Sequence, residues 1–247
     1  MRWRRAICAW RGDAERWWSE SFTAIRVHSP AEFYGRLCGR WCDQRRTMRL
    51  YLIRHGQTEM NASHTIDTDY PGANLTERGR EQAVGIVERL AGETVDAIWV
   101  SSLIRTHQTA APLAANRGLV PVQREGLREI EAGIWEGGND EAAYRGYLST
   151  IERWFTDSMD EPMGGTITGR QALMRFDAVV REIESTEASN VAIFSHGSML
   201  SWWCGMRVAG LTWKHYIDGH LDNTGMCVAE GSLDTGYRAL SWMGETV

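Results

Sequence analysis

From Met48 onward, short continuous apolar runs alternate with segments whose apolar residues recur every three or four positions. Few folds accommodate that rhythm. Residues 50–53, 95–100, 120–123 and 191–194 are runs of strand length with little polar alternation, so a strand built from them must be covered on both faces. Between them, Ala83, Ile86, Val87 and Leu90 follow the helix opening Leu75-Thr76-Glu77-Arg78-Gly79, with Asn74 or Thr76 as its cap. Ser101 or Ser102 is placed to cap a helix running toward Gly118, and Leu173, Phe176, Val180 and Ile183 line one face of another. The pattern predicts an α/β fold: a mostly parallel central sheet with helices on both faces. Tyr144, Tyr147, Leu148, Ile151, Trp154 and Phe155 form an amphipathic piece that interrupts the strand rhythm and reads as a small helical cap. Near the end, residues 226–229 and 237–241, with Gly231 and Gly236 between them, read as a hairpin.

Composition narrows the function classes. Of the 27 basic residues 26 are Arg, and the one Lys, Lys214, stands between Trp213 and His215, so a Gly-Lys-Ser/Thr nucleotide loop is excluded. No stretch of about 18 apolar residues occurs, which excludes a membrane-spanning helix, and the start lacks the apolar core of a secretory signal. Residues 1–47 carry a balance of +5 and five of the 12 Trp, whereas residues 48–247 carry −10, so two different objects join near Met48. An acidic body argues against nucleic acid as a partner.

The first 47 residues are read as an Arg/Trp-rich extension, inessential or disordered. A rival reading takes Trp3, Ile7, Trp10, Ala14 and Trp17, among five arginines, as a basic amphipathic helix for an anionic membrane surface, but Gly12 and Asp13 weaken it. Five cysteines are an odd number, and a reducing, cytoplasmic setting is expected. Cys38 and Cys42 have only Cys8 and His28 as further ligands in their segment, so no metal is assigned.

Ligands of an open parallel sheet collect at the carboxyl ends of its strands. Two of those ends carry a histidine followed by glycine, His55 and His196. Five strings occur in order: LYLIRHGQTEMN (residues 50–61), LTERG (75–79), SSLIRTHQTA (101–110), LREIEAGIWEG (127–137) and VAIFSHG (191–197). Together they resemble the histidine phosphatase superfamily, the phosphoglycerate-mutase-like phosphatases, over residues 48–247. The resemblance implies that His55 is the nucleophile that becomes a phosphohistidine. Arg54 and Arg105 would clamp phosphate oxygens, His196 would be the second histidine of the pocket, and Glu129 the acid that protonates the departing oxygen. It places Thr58 and Asn61 where further phosphate contacts are made.

These residue types suit the chemistry on physical grounds. Phosphoryl transfer needs positioning and positive charge around the equatorial oxygens, and guanidinium forks supply both without Lys. Nearby guanidinium charge favours a neutral, nucleophilic imidazole, and an alkoxide leaving group needs a protonated carboxyl beside it. Trp135, close behind Glu129, is the tryptophan expected to touch substrate. The rival readings are a solvated Arg105, a Glu129 paired with Arg124 or Arg128, and Glu131 as the acid. His64, His107, His215 and His220 are read as structural.

Two departures from the family stand out. Gly164-Gly165-Thr166-Ile167-Thr168 lacks the Glu of a common Gly-Gly-Glu-Ser stretch, and residues 144–155 hold only Arg145 and Arg153 where mutases hold a second anionic group with dense basic residues. The expectation is a metal-independent phosphomonoester hydrolase without cofactor, acting on a small phosphate ester. The alternatives are a phosphoglycerate mutase of the same superfamily, or a phosphate-ligand or protein-binding module with a vestigial site. Substrate identity and oligomeric state are not legible.

Overall fold

Residues 50–53 lie in β1 (Met48–Arg54), where Leu50, Tyr51, Leu52 and Ile53 are all buried, as a strand covered on both faces requires. The computed structural model describes residues 47–212, 215 and 221–247. The extension, its amphipathic pattern, Cys38, Cys42 and His220 lie outside the described residues.

The other strands are β2 (Ala97–Val100), β3 (Val122–Gln123), β4 (Asn190–Ser195), β5 (Val208–Ala209), β6 (Met226–Ser232), β7 (Gly236–Trp242) and β8 (Glu245–Thr246). They form one sheet in the order β3-β2-β4-β1-β6-β7-β5, with β8 paired to β7. From β3 to β1 every pairing is parallel, and β1–β6, β6–β7 and β7–β8 are antiparallel. The sheet is therefore mixed around a parallel core. The antiparallel half follows from the hairpin: β6 and β7 are joined by three residues, too few to cross over to a parallel partner.

Alternate residues of each strand feed opposite faces. Leu50, Leu52, Val191 and Ile193 pack with Phe176 and Val180 of α5 (Gly169–Glu184) and with Trp202 and Trp203 of α6 (Gly197–Arg207). Tyr51, Ile53, Ala192 and Phe194 pack with Ile86 of α2 (Glu77–Arg89) and with Ala110 and Leu113 of α3 (Ile104–Arg117). Each such fully buried Leu, Ile, Val or Phe side chain contributes about 1.5–3 kcal/mol. Helices thus cover both faces. The cap is α4 (Glu141–Thr156), opened by Asp140 and anchored by Tyr147, Ile151 and Trp154. Among the described residues no helix is long and apolar enough to cross a membrane.

Helix starts differ from expectation at one place. Thr76 caps α2 by accepting from Gly79 N, but α3 starts after Leu103 with no side-chain cap, and Ser102 Oγ has no partner among the described residues. The Ser101 hydroxyl accepts from Leu103 N at 3.2 Å and also meets His196, so the site, as much as the helix, determines its placement.

Candidate active site

Parallel pairing of β1 with β4 sets Arg54 opposite Ser195, which carries the next residues, His55 and His196, to the same end of the sheet. The amide of His55 continues the ladder by donating to Ser195 O at 3.1 Å. The two imidazole centroids are 5.3 Å apart, and both rings are buried. His55 Nδ1 lies 2.7 Å from Gly56 O; a carbonyl can only accept, so Nδ1 holds the proton and Nε2 keeps its lone pair. Burial pulls both imidazoles well below the usual histidine range, and the positive charge of Arg105 adds to it, with Arg54 contributing further. Desolvation is thus the larger cause of neutrality, ahead of the guanidinium charge anticipated from the sequence.

Tight backbone packing holds the His55 loop. Thr76 N donates to Gln57 O, and Gly79, in the first turn of α2, approaches so closely that a Cβ there would lie 2.1 Å from Gln57 O. Only glycine fits at that contact. Thr58 and Asn61 border the cleft, and each also caps the four-residue helix α1 (Glu59–Ala62), the Thr58 hydroxyl accepting from Asn61 N at 3.1 Å. Asn61 Oδ1 accepts from Asn223 Nδ2 at 3.0 Å, and the same amide donates to His55 O.

Both arginines line a cleft of about 100 Å³. Arg54 Nη1 donates to Leu221 O at 2.5 Å. Arg105 is 2 % exposed and therefore not a solvated helix residue; it faces Asp67 through Nη1 at 3.2 Å. The Nε atoms of Arg54 and Arg105, and Nδ1 of His196, are buried with no partner among the described residues. His196 Nε2 meets Ser101 Oγ at 2.8 Å.

Glu129 comes from the loop after β3, and its carboxylate rests on the amino end of α6. Oε1 accepts from Met199 N at 2.8 Å and Ile130 N at 2.9 Å, and Oε2 from Ser198 N at 3.1 Å. Burial pushes the carboxyl above its ordinary value, and the three amides oppose that shift without cancelling it. Neither rival pairing forms, because Arg124 bonds Glu182 and Arg128 faces Glu125. Glu131 pairs with Arg175 at 2.8 Å and does not border the cleft.

Trp135 is not brought to this cleft. The tight turn Gly133–Trp135 directs its ring against Gly146 of α4, where it lines a neighbouring cavity. Tyr144 and Leu148 of α4 form the apolar wall instead. Asp67 went unnoticed in the sequence because residues 62–73 have no periodicity, and Ser101 because it reads as a helix cap. His64 is exposed, His107 half-buried, and His215 Nδ1 accepts from Thr212 N. Thr168, in the stretch that departs from Gly-Gly-Glu-Ser, caps α5. Among the described residues no group of three His, Cys, Asp or Glu is disposed to hold a metal ion.

PE-PGRS family protein PE_PGRS11 of Mycobacterium tuberculosis is 34% identical over 209 residues, covering 78% of this chain and 36% of that protein. Phosphoserine phosphatase 1 of Hydrogenobacter thermophilus is 30% identical over 130 residues, 51% of this chain and 57% of that one. This chain therefore spans about a third and somewhat over half of those two relatives. A mycobacterial glucosyl-3-phosphoglycerate phosphatase solved with VO3 superposes with TM-score 0.67 at 25% identity, covering 79% of this chain and 98% of that chain. Phosphoglycerate mutase of Bacillus anthracis, at 19% identity and TM-score 0.65 over 82% of this chain and 93% of its own, shares the fold. A family model described as histidine phosphatase superfamily, branch 1, matches residues 50–242, a span that contains both histidines, both arginines and Glu129. The chain belongs to the histidine phosphatase superfamily.

Proposed function

We propose that the protein is a metal-independent phosphomonoester hydrolase working through a phosphohistidine on His55. The observation that supports this most is the set of buried polar atoms without partners, Arg54 Nε, Arg105 Nε and His196 Nδ1, beside an imidazole whose Nε2 is unprotonated. A buried donor without an acceptor costs about 1–3 kcal/mol, so the two guanidinium Nε atoms, on arginines that line the cleft, suit an oxyanion. His55 Nε2 attacks phosphorus while the guanidiniums and His196 bind the equatorial oxygens. The P–O bond breaks as Glu129 gives its proton to the leaving oxygen. Water then attacks the phosphohistidine, Glu129 takes that water's proton, and orthophosphate leaves with Nε2 restored.

Hydrolysis is favoured over mutase action by the charges around the cleft. Among the described residues that line it, the cationic side chains are Arg54 and Arg105, and the two arginines of α4 are paired elsewhere, Arg145 with Glu141 and Arg153 with Glu161. None is left to retain a phosphoglycerate while its phosphoryl group sits on histidine. With EDTA present, the purified full chain is expected to release orthophosphate from nitrophenyl phosphate at an undiminished rate. Loss of activity in EDTA contradicts metal independence, and interconversion of phosphoglycerates without phosphate release identifies a mutase.

The loop packing yields a second expectation. Gly79→Ala forces the Gln57 backbone away and with it the His55 loop, so kcat/KM falls about tenfold or more while the fold loses only about 1–3 kcal/mol. Steady-state kinetics beside a denaturant melt checks this; unchanged kcat/KM means that the loop is not held by this contact.

A further inference from the structure

The cleft contains an acidic side chain that phosphoryl transfer does not call for. Asp67, on the segment between α1 and α2, lines it, and Oδ2 of this residue lies 3.2 Å from Arg105 Nη1 while accepting from Ala73 N at 2.9 Å. Its own carbonyl accepts from Arg105 Nη2 at 2.8 Å. One residue therefore engages both Nη atoms of an arginine assigned to the phosphoryl group. The Gly72 backbone closes over the same guanidinium, since a Cβ on that residue would sit 2.3 Å from Arg105 Nη1, so Arg105 is confined beside the carboxylate.

The local charge balance has a chemical consequence. Two guanidiniums, Arg54 and Arg105, face the Asp67 carboxylate and the Glu129 carboxyl, which is uncharged when it serves as the acid, among the described residues that line the cleft. The phosphoryl dianion draws on both guanidiniums. A second anionic group on the alcohol would meet Tyr144 and Leu148 on the α4 wall, with the Asp67 carboxylate in the same small space. Like charges repel in a partly desolvated cleft, and once the phosphoryl group competes for Arg105 the Asp67 carboxylate is only partly neutralised, which disfavours a second anion.

We propose that Asp67 is a specificity-determining residue, which makes the site select phosphate monoesters of uncharged or cationic alcohols against esters whose alcohol bears a second anionic group. This rests on the phosphatase reading of the same cleft and adds the substrate class to it. Asp67 also positions Arg105, so the readout must separate selectivity from general activity.

The test compares glycerol 3-phosphate with 3-phosphoglycerate, which differ in a terminal hydroxymethyl against a carboxylate. The full chain is used as wild type, Asp67→Asn and Asp67→Glu. Wild type is expected to favour glycerol 3-phosphate in kcat/KM by about tenfold or more, Asp67→Asn to lose about tenfold of that ratio, and Asp67→Glu to keep it. A wild-type preference for 3-phosphoglycerate, or an Asp67→Asn effect equal on both esters, overturns the proposal. If neither ester is hydrolysed by wild type, the phosphatase reading is what fails for them, and calorimetric Kd values of the two esters for the same three proteins decide the selectivity claim by the same ratio.

Discussion

His55→Ala is expected to reduce phosphate release from every ester by about 10⁴-fold or more, since removing a nucleophile takes away the reaction's route as well as a contact. The neighbouring groups cannot substitute for it. His196 is 5.3 Å away between ring centroids, with Nε2 engaged by Ser101, and Glu129 is held by three backbone amides. His196→Asn, by contrast, removes one contribution to oxyanion binding and should cost about 10²–10³-fold. Stopped assays for orthophosphate, with circular dichroism to show that each variant is folded, check the pair. Activity of His55→Ala within a hundredfold of wild type would overturn the nucleophile assignment.

The second large effect is at Glu129. Glu129→Gln removes the transferable proton and is expected to lower kcat/KM for an alkyl phosphate by about 10²–10⁴-fold, and for nitrophenyl phosphate much less, because a good leaving group departs without an acid. The pH profile follows from the two shifts. His55 must be neutral, so rate rises as pH passes upward through its lowered pKa; Glu129 must be protonated, so rate falls as pH passes upward through its raised pKa. With ordinary values for both groups, only about one per cent of molecules at mid-range acidity would hold the required pair of states. Opposite shifts, both caused chiefly by burial, enlarge that fraction. The alkyl-ester profile of kcat/KM should therefore place its acidic limb below the usual imidazole range and its alkaline limb above the usual carboxyl range. In Glu129→Gln the alkaline limb should disappear. A profile unchanged by the substitution would remove Glu129 from the proton inventory.

Legibility in the sequence varied with the kind of signal. Runs such as residues 50–53 and 191–194 announce strands covered on both faces, and the abrupt stops at Arg54-His55-Gly56 and Ser195-His196-Gly197 mark the strand ends where ligands collect. Parallel pairing then converts two distant tripeptides into neighbours, so the histidine pair could be anticipated. Side-chain direction could not. Trp135 lies six residues beyond Glu129, yet a tight turn intervenes and sends the ring toward Gly146. Ser101 has the chemistry of a helix cap, but tertiary contact with His196 claims its hydroxyl. Asp67 belongs to a segment whose conformation depends on Arg105, Ala73 and the Thr68–Glu136 contact, none of which leaves a local pattern. The antiparallel half of the sheet was legible only as its hairpin, since the pairing of β6 with β1 is long-range.

The most direct measurement is a rapid quench of the full chain with radiolabelled nitrophenyl phosphate, followed by peptide mapping under alkaline conditions that preserve phosphohistidine. Glu129→Gln should still accept the phosphoryl group from so good a leaving group but hydrolyse it slowly, so label should accumulate on His55 above the wild-type level. Phosphate release with no protein-bound label, or label on a residue other than His55, would contradict the phosphohistidine mechanism.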